Sequence, residues 1–351
     1  MKFVSNILSE DIKSLITDCC IPWFEFTNST VFITGATGLV GSMLVRTLSS
    51  ANKEQNLNIR ILTHGRNRIK GSELVREFDA EFIAGDICHQ IPSESLPPTI
   101  NYIFHCAAIT KSADMIAKPV DVIRTESEGI SQMLRIAKEK NCKSFTYLSS
   151  MEIYGQTDSS ELKENNLGYL DLADPRSCYP LGKRFAETLC NAYTIQFDLP
   201  VKIARLSQTF GAGTPKDDTR VFAQFARSAL AGRNIELHTM GTSRGNYCYI
   251  ADSIRALLIV LLKGKNGETY NVSNPDASTT IYEMAKIVAT DIYLNKINVV
   301  VDIPEDISKR GYAPDVNYTL NIDKIKALGW VPRYGLEDMY KRMLNDWRYH
   351  Q

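Results

Sequence analysis

Tyr179 and Lys183 stand four residues apart in Tyr179-Pro180-Leu181-Gly182-Lys183, a spacing that puts both side chains on one face of a helix. An ammonium beside a phenol favours the phenolate, lowering a pKa that is about 10 when unperturbed. A tyrosine so placed can take a proton from an alcohol as hydride leaves the carbon that bears it. Ser150, in Tyr147-Leu148-Ser149-Ser150-Met151-Glu152-Ile153-Tyr154-Gly155, can hydrogen-bond the same oxygen. A tyrosine and a lysine at this spacing occur by chance on many surface helices, so the stretches around them decide their meaning.

Upstream, Val31-Phe32-Ile33-Thr34-Gly35-Ala36-Thr37-Gly38-Leu39-Val40-Gly41 reads as strand, turn and helix. Val31 to Ile33 suit a buried parallel strand, and Leu39, Val40, Met43, Leu44 and Leu48 recur at helical spacing. Gly35 allows a tight turn, Gly38 lets backbone approach a pyrophosphate, and Gly41 permits close packing of helix on strand. With Thr37, Leu39 and Val40 between them, these residues form a candidate phosphate cradle at a helix N-terminus; the alternative is a structural turn.

A dinucleotide held there would meet the ends of the next strands. NAD-binding sheets usually place an acid after the second strand to bond the ribose 2′-OH. Here His64-Gly65-Arg66-Asn67-Arg68-Ile69-Lys70 offers cations and no acid, so Arg66 is a candidate for the 2′-phosphate of NADP. The competing reading is a solvated basic loop. The expected cofactor is therefore NADP, with NAD the alternative. Asp86, in Gly85-Asp86-Ile87, can accept from an adenine amino group or merely form a turn. His105-Cys106-Ala107-Ala108 supplies small residues where a cofactor would pass close to backbone, and His105 itself reads as a core histidine.

Alternating strand and helix patterns from residue 29 onward must position these groups, and they predict a Rossmann-type, doubly wound parallel sheet. The expected strands are Val31–Ile33, Ile59–Thr63, Glu81–Ala84, Tyr102–Cys106, Phe145–Leu148 and Val201–Arg205. Val120–Lys140 reads as a long crossover helix, and a helix from about Leu181 to Phe197 precedes the sixth strand. Residues 1–28 form a helical extension, packed outside the core or serving as an interaction arm. Residues 29–206 form the dinucleotide-binding domain, and residues 207–351 mainly a smaller C-terminal substrate-binding lobe, with segments near 245–275 returning to the first domain. Expected helices there are Val221–Ala231, Asp252–Lys263, Ile281–Asp291 and Leu336–Trp347, with a short strand Tyr270–Val272.

Forty basic and forty acidic residues cancel, so no charge footprint for nucleic acid or anionic membrane exists. The longest apolar run, Ala256–Leu262, is far below the roughly 20 residues of a membrane span. The N-terminus lacks an uninterrupted apolar core, and eight scattered cysteines without Cys-x-x-Cys spacing read as reduced thiols, so a cytoplasmic location is expected. The five histidines show no metal-ligand pairing, and no metal is expected.

Taken together, Gly35 to Gly41, Ser150 with Tyr154-Gly155, Tyr179 with Lys183, Arg205-Leu206-Ser207-Gln208-Thr209-Phe210-Gly211 and Leu328-Gly329-Trp330-Val331-Pro332 resemble the extended short-chain dehydrogenase/reductase superfamily. The resemblance is to its NAD(P)-dependent nucleotide-sugar epimerase/dehydratase branch and covers residues 29–347. It implies an enzyme of polysaccharide biosynthesis that oxidises a sugar hydroxyl, usually at C4, transforms the ketone by epimerisation, dehydration or decarboxylation, and often returns the hydride. Tyr179 would be the base, Lys183 its activator and a ribose ligand, and Ser150 the hydrogen-bond partner. The implied partners are a nucleotide-diphosphate sugar and a second copy of the chain.

The same resemblance assigns the remaining candidates. Gln208 falls where the family has an asparagine on the substrate diphosphate. Arg244 precedes Gly245, which occupies the family's usual arginine position, and Arg310 resembles another phosphate-binding arginine; a surface salt bridge is the alternative for both. In look-alike dehydratases and decarboxylases a glutamate at the position of Glu152 serves chemistry after oxidation, since a 4-keto group acidifies the C5 proton. A structural Glu152 is the alternative. Met151 stands where several dehydratases have an aspartate, and it cannot protonate a departing hydroxyl. Two other functions compete: a net reductase of a nucleotide-linked keto sugar, and a non-catalytic dinucleotide-binding protein.

Overall fold

Seven parallel strands form the centre of the computed structural model, which describes residues 5–294, 296–303 and 315–349. The first five are β1 (Thr30–Thr34), β2 (Arg60–Gly65), β3 (Ala80–Ala84), β4 (Tyr102–His105) and β5 (Ser144–Ser150). From one edge the order is Thr269–Val272, Val201–Leu206, β5, β4, β1, β2, β3. The sequence pattern explains the two-sided burial: Val31 and Ile33 join one apolar cluster while Phe32 joins the other, and Tyr102 and Phe104 likewise oppose Ile103. Strand order reverses between β1 and β4, the switch point where ligands of such sheets bind.

The helix Leu39–Gln55 follows β1 directly, with Gly38 as its N-cap. Pro119–Arg124, a π-turn at Thr125–Gly129 and Ile130–Glu139 make one helical run where the periodicity predicts a plain helix. The helix that carries Tyr179 starts at Cys178, earlier than expected, and ends at Phe197. The basic segment after β2 is not a loop: β2 runs through Gly65, and a helix begins at Arg68, capped by the Asn67 side chain. Only Arg66 and Asn67 lie between.

The second half builds a three-stranded sheet from Asn274–Thr280, Arg244–Tyr249 and Gln208–Phe210, none of which the periodicity singles out as a strand. Helix Ile250–Lys263 packs on β5 and Val201–Leu206, and Thr269–Val272 pairs with Val201–Leu206 at the edge of the main sheet. Helix Leu336–Tyr349 closes the chain. Near the N-terminus, helix Asn6–Ile16 buries Leu8, Leu15 and Ile16. Its Asp11 accepts bonds from Tyr249 Oη (2.5 Å) and Arg342 Nη2 (2.7 Å), fastening the N-terminal helix to the last one. Asp18, Cys19 and Cys20 are the one grouping of potential metal ligands among the described residues, and Asp18 there pairs with Arg255 and Arg333. No helix among the described residues is long and apolar enough to cross a membrane.

Candidate functional site

A cavity of about 570 Å³ opens at the C-terminal ends of β1, β2, β4 and β5. The glycine turn forms one wall. Gly35 has φ +64°, and a Cβ there would lie 2.8 Å from the Ala107 backbone. A Cβ on Gly41 would collide with the Gly35 carbonyl, so the helix can approach the strand only at glycine. Gly38 caps the helix without any side-chain bond, leaving the first backbone N–H groups directed at the cavity.

Every expected cofactor residue lines this one space: Gly35, Thr37, Gly38, Leu39, Val40, Gly41, Arg66, Asp86, Ile87, Ala107 and Ala108. Arg66, Lys70, Lys111 and Arg220 also face it against two carboxylates, Asp86 and Glu152, a cationic excess suited to phosphates. His64, at the end of β2, lines the cavity with both ring nitrogens buried and unpartnered. Burial holds its pKa down to about 4 against the pull of Asp86, so the ring is neutral near pH 7. The glycine cradle, the cations and this unpartnered ring fit a nicotinamide dinucleotide.

Beside the cradle lie Ser150, Glu152, Tyr179 and Lys183. Ser150 ends β5; its Oγ accepts the Glu152 N–H (3.2 Å) and its hydroxyl is within hydrogen-bonding reach of Tyr179. Glu152 Oε2 is held by Arg176 Nη2 at 2.7 Å. Arg176 comes from the short turn Pro175–Ser177 that leads into the tyrosine's helix.

Lys183 is 2 % exposed. Its Nζ donates to the Leu148 carbonyl (2.8 Å) and lies 3.2 Å from Glu126 Oε2, with the Tyr179 ring centre 5.7 Å away. The expectation that Lys183 lowers the Tyr179 pKa is corrected here. Burial pushes the phenol well above its ordinary range, and the Glu126 and Glu152 carboxylates push it further. The Ser150 hydroxyl and Arg176 oppose them without prevailing. Lys183 is paired with Glu126, whose negative charge opposes the pull of the ammonium on the phenol.

Gln208 lines the cavity, whereas Arg244 is not among its lining residues. Arg244 instead donates to Asn317 Oδ1 (3.3 Å) and the Ser278 carbonyl (3.2 Å). Arg310 lies outside the described residues. Two residues that sequence reasoning missed approach the site: Arg220, paired with Asp218, and Arg176. His105 is a core residue, its Nδ1 2.7 Å from Thr34 Oγ1 and its ring stacked on Tyr147. Arg205 is likewise structural, joining Glu187 (2.7 Å) to Tyr154 Oη (3.0 Å).

A family model described as the NAD dependent epimerase/dehydratase family matches residues 31–273. UDP-glucuronic acid decarboxylase 6 of Arabidopsis thaliana is 28% identical over 327 residues, 93% of this chain and 90% of that protein. The low-salt glycan biosynthesis protein Agl12 of Haloferax volcanii is 25% identical, across 88% of this chain and 95% of its own. Among solved structures, UDP-glucose 4-epimerase from Thermotoga maritima superposes with TM-score 0.76 at 22% identity, covering 92% of this chain and 99% of that one. The dTDP-glucose 4,6-dehydratase of Streptomyces venezuelae, solved with NAD, gives 0.75 at 23% identity, covering 91% and 97%.

Proposed function

This chain belongs to the NAD-dependent epimerase/dehydratase family, and on that basis we propose that it oxidises the C4 hydroxyl of a nucleotide-diphosphate sugar and then transforms the 4-ketone. The observation that carries this reading is the convergence of Ser150, Tyr179 and Lys183 on the cavity that the glycine turn opens. The cofactor, when bound, accepts hydride from the sugar carbon and returns it. Ser150 donates to the C4 oxygen, Tyr179 takes its proton, and the one Lys183 donor left over is available to a ribose.

Decarboxylation of a uronic acid is the step that the side chains favour. A 4-keto uronic acid carries its carboxylate β to the ketone, so the C5–C6 bond breaks, carbon dioxide leaves, and the electron pair passes through C5 to the C4 oxygen. Glu152, at the cavity wall, then relays a solvent proton to C5, drawing it from water as it passes one on. Met151 offers no acid to expel a hydroxyl, which disfavours direct dehydration. That several relatives are named UDP-glucuronic acid decarboxylases supports the same choice. Incubation with UDP-, GDP-, CDP- and dTDP-linked hexoses and hexuronic acids, with products read by mass and NMR, tests it. Conversion of a uronic acid with loss of carbon dioxide is expected; exclusive epimerisation of neutral sugars would overturn it.

We further infer a preference for NADP, because Arg66 and Lys70 face the cavity where β2 ends without an acid. Arg66→Ala should weaken NADP binding roughly tenfold or more, the loss of one charge-assisted contact, and leave NAD binding unchanged by calorimetry. Equal losses for both cofactors would refute the assignment. A second copy of the chain fits the apolar strip of Val120, Ile123, Leu172 and Phe185, all exposed on or beside two neighbouring helices. Phe185→Asp should convert a dimer to a monomer in sedimentation velocity.

A further inference from the structure

One buried carboxylate beside Lys183 has no part in the steps above. Glu126 lies on the same helical stripe as Val122, Ile130 and Met133, and it is 1 % exposed. It sits in the π-turn Thr125–Gly129, a rare local distortion that re-aims side chains. One oxygen accepts the Tyr147 hydroxyl (2.8 Å) and pairs with Lys183 Nζ (3.2 Å), while the other is buried with no partner. The fit is close: a Cβ on Gly182 would stand 3.0 Å from the Glu126 Cβ, so the residue before Lys183 must be small for the carboxylate to reach the ammonium. A carboxylate with one oxygen left unsatisfied is costly to bury, and this one is offset by the Tyr147 hydroxyl and the Lys183 ammonium.

We propose that Glu126 is a positioning residue for proton transfer, which draws the Lys183 ammonium onto the back wall of the cavity and so sets the pH at which Tyr179 becomes the base that takes the C4 proton. This rests on the transient ketone proposed above, in which the phenolate takes the C4 proton and the phenol so formed gives it back when hydride returns. The groups facing Tyr179 are Ser150 and Glu152 from the end of β5 and the turn after it, Arg176 from the turn before the helix, Lys183 from its own helix, and Glu126 from the π-turn. Those facing Glu126 are Lys183, Tyr147 and Tyr179. Of the charges around Tyr179, Glu126 acts most strongly to keep the phenol protonated.

Glu126→Gln keeps the shape and removes the charge. Phenol ionisation then becomes easier, and activity that requires the phenolate begins at lower pH. The acid limb of kcat against pH should move down by about one unit, which is about tenfold faster turnover on that limb. Glu126→Asp keeps the charge but withdraws it from Lys183 and should give an intermediate limb, and it serves where the glutamine variant does not fold. A purely structural Glu126 would lower thermal stability in both variants without moving the limb, and that result overturns the proposal. Ultraviolet titration of tyrosinate in the cofactor-free protein, with Tyr179→Phe subtracted, reads the same change without any substrate. A lowered Tyr179 titration in Glu126→Gln supports the proposal even if no nucleotide sugar turns over, and an unmoved one refutes it even if one does.

Discussion

Tyr179→Phe is expected to lower turnover about a hundred- to ten-thousand-fold, the usual contribution of a positioned acid–base group, while cofactor affinity stays unchanged. Phenylalanine fills the same slot among Met115, Val122 and Cys178, so the helix and the cavity wall persist. What disappears is the group that takes the hydroxyl proton, and without it hydride departure from C4 leaves an unstabilised protonated ketone. Single-turnover absorbance of reduced nicotinamide measures the first oxidation directly, and calorimetry measures cofactor binding. Retained hydride transfer would remove Tyr179 from the role of base. The phenol of the cofactor-free protein is held protonated by burial and by Glu126, so wild-type activity should rise with pH across the neutral range rather than fall. The sign follows from the raised pKa: the proton-accepting form gains population only as pH climbs towards it.

Glu152→Gln is expected to leave the first oxidation intact and to slow product formation by about a hundredfold or more, with reduced cofactor and keto sugar accumulating. Glutamine can still accept from Arg176, so the turn before the tyrosine helix keeps its anchor. The lost function is proton delivery at C5. In deuterated water the wild-type product should carry deuterium at C5, and the variant's slow product should form without a burst of label. Normal turnover in this variant would make Glu152 structural and simple C4 epimerisation the better reading.

The glycine turn and the Tyr179–Lys183 pair were legible because their geometry is local. Three glycines after an apolar strand, and two side chains four apart on a helix, imply their arrangement through backbone periodicity alone. Strand positions followed from runs such as Tyr102–His105 that are apolar on both faces. The short strands Gln208–Phe210 and Arg244–Tyr249 were not legible, since their polar residues pair only after distant segments meet. Glu126 left a faint mark, a charge on the otherwise apolar stripe Val122, Ile130, Met133, yet nothing nearby in sequence names Lys183 as its partner.

Amino-acid order alone was enough for the fold class, the glycine turn and the residues proposed to move the proton, because each is encoded within a few residues of chain. Packing decided how those residues are tuned. It put Glu126 from a π-turn against Lys183, so that the lysine faces a carboxylate as well as the phenol its spacing promised. It set Arg176 on Glu152, brought Arg220 to the cavity, and turned Arg244 to Asn317 and the Ser278 carbonyl. Charge acts through space, and the distances that govern it run between residues dozens of positions apart. Only the folded chain brings such groups to 3 or 4 Å of one another, at about the range where their mutual energies outweigh water's screening.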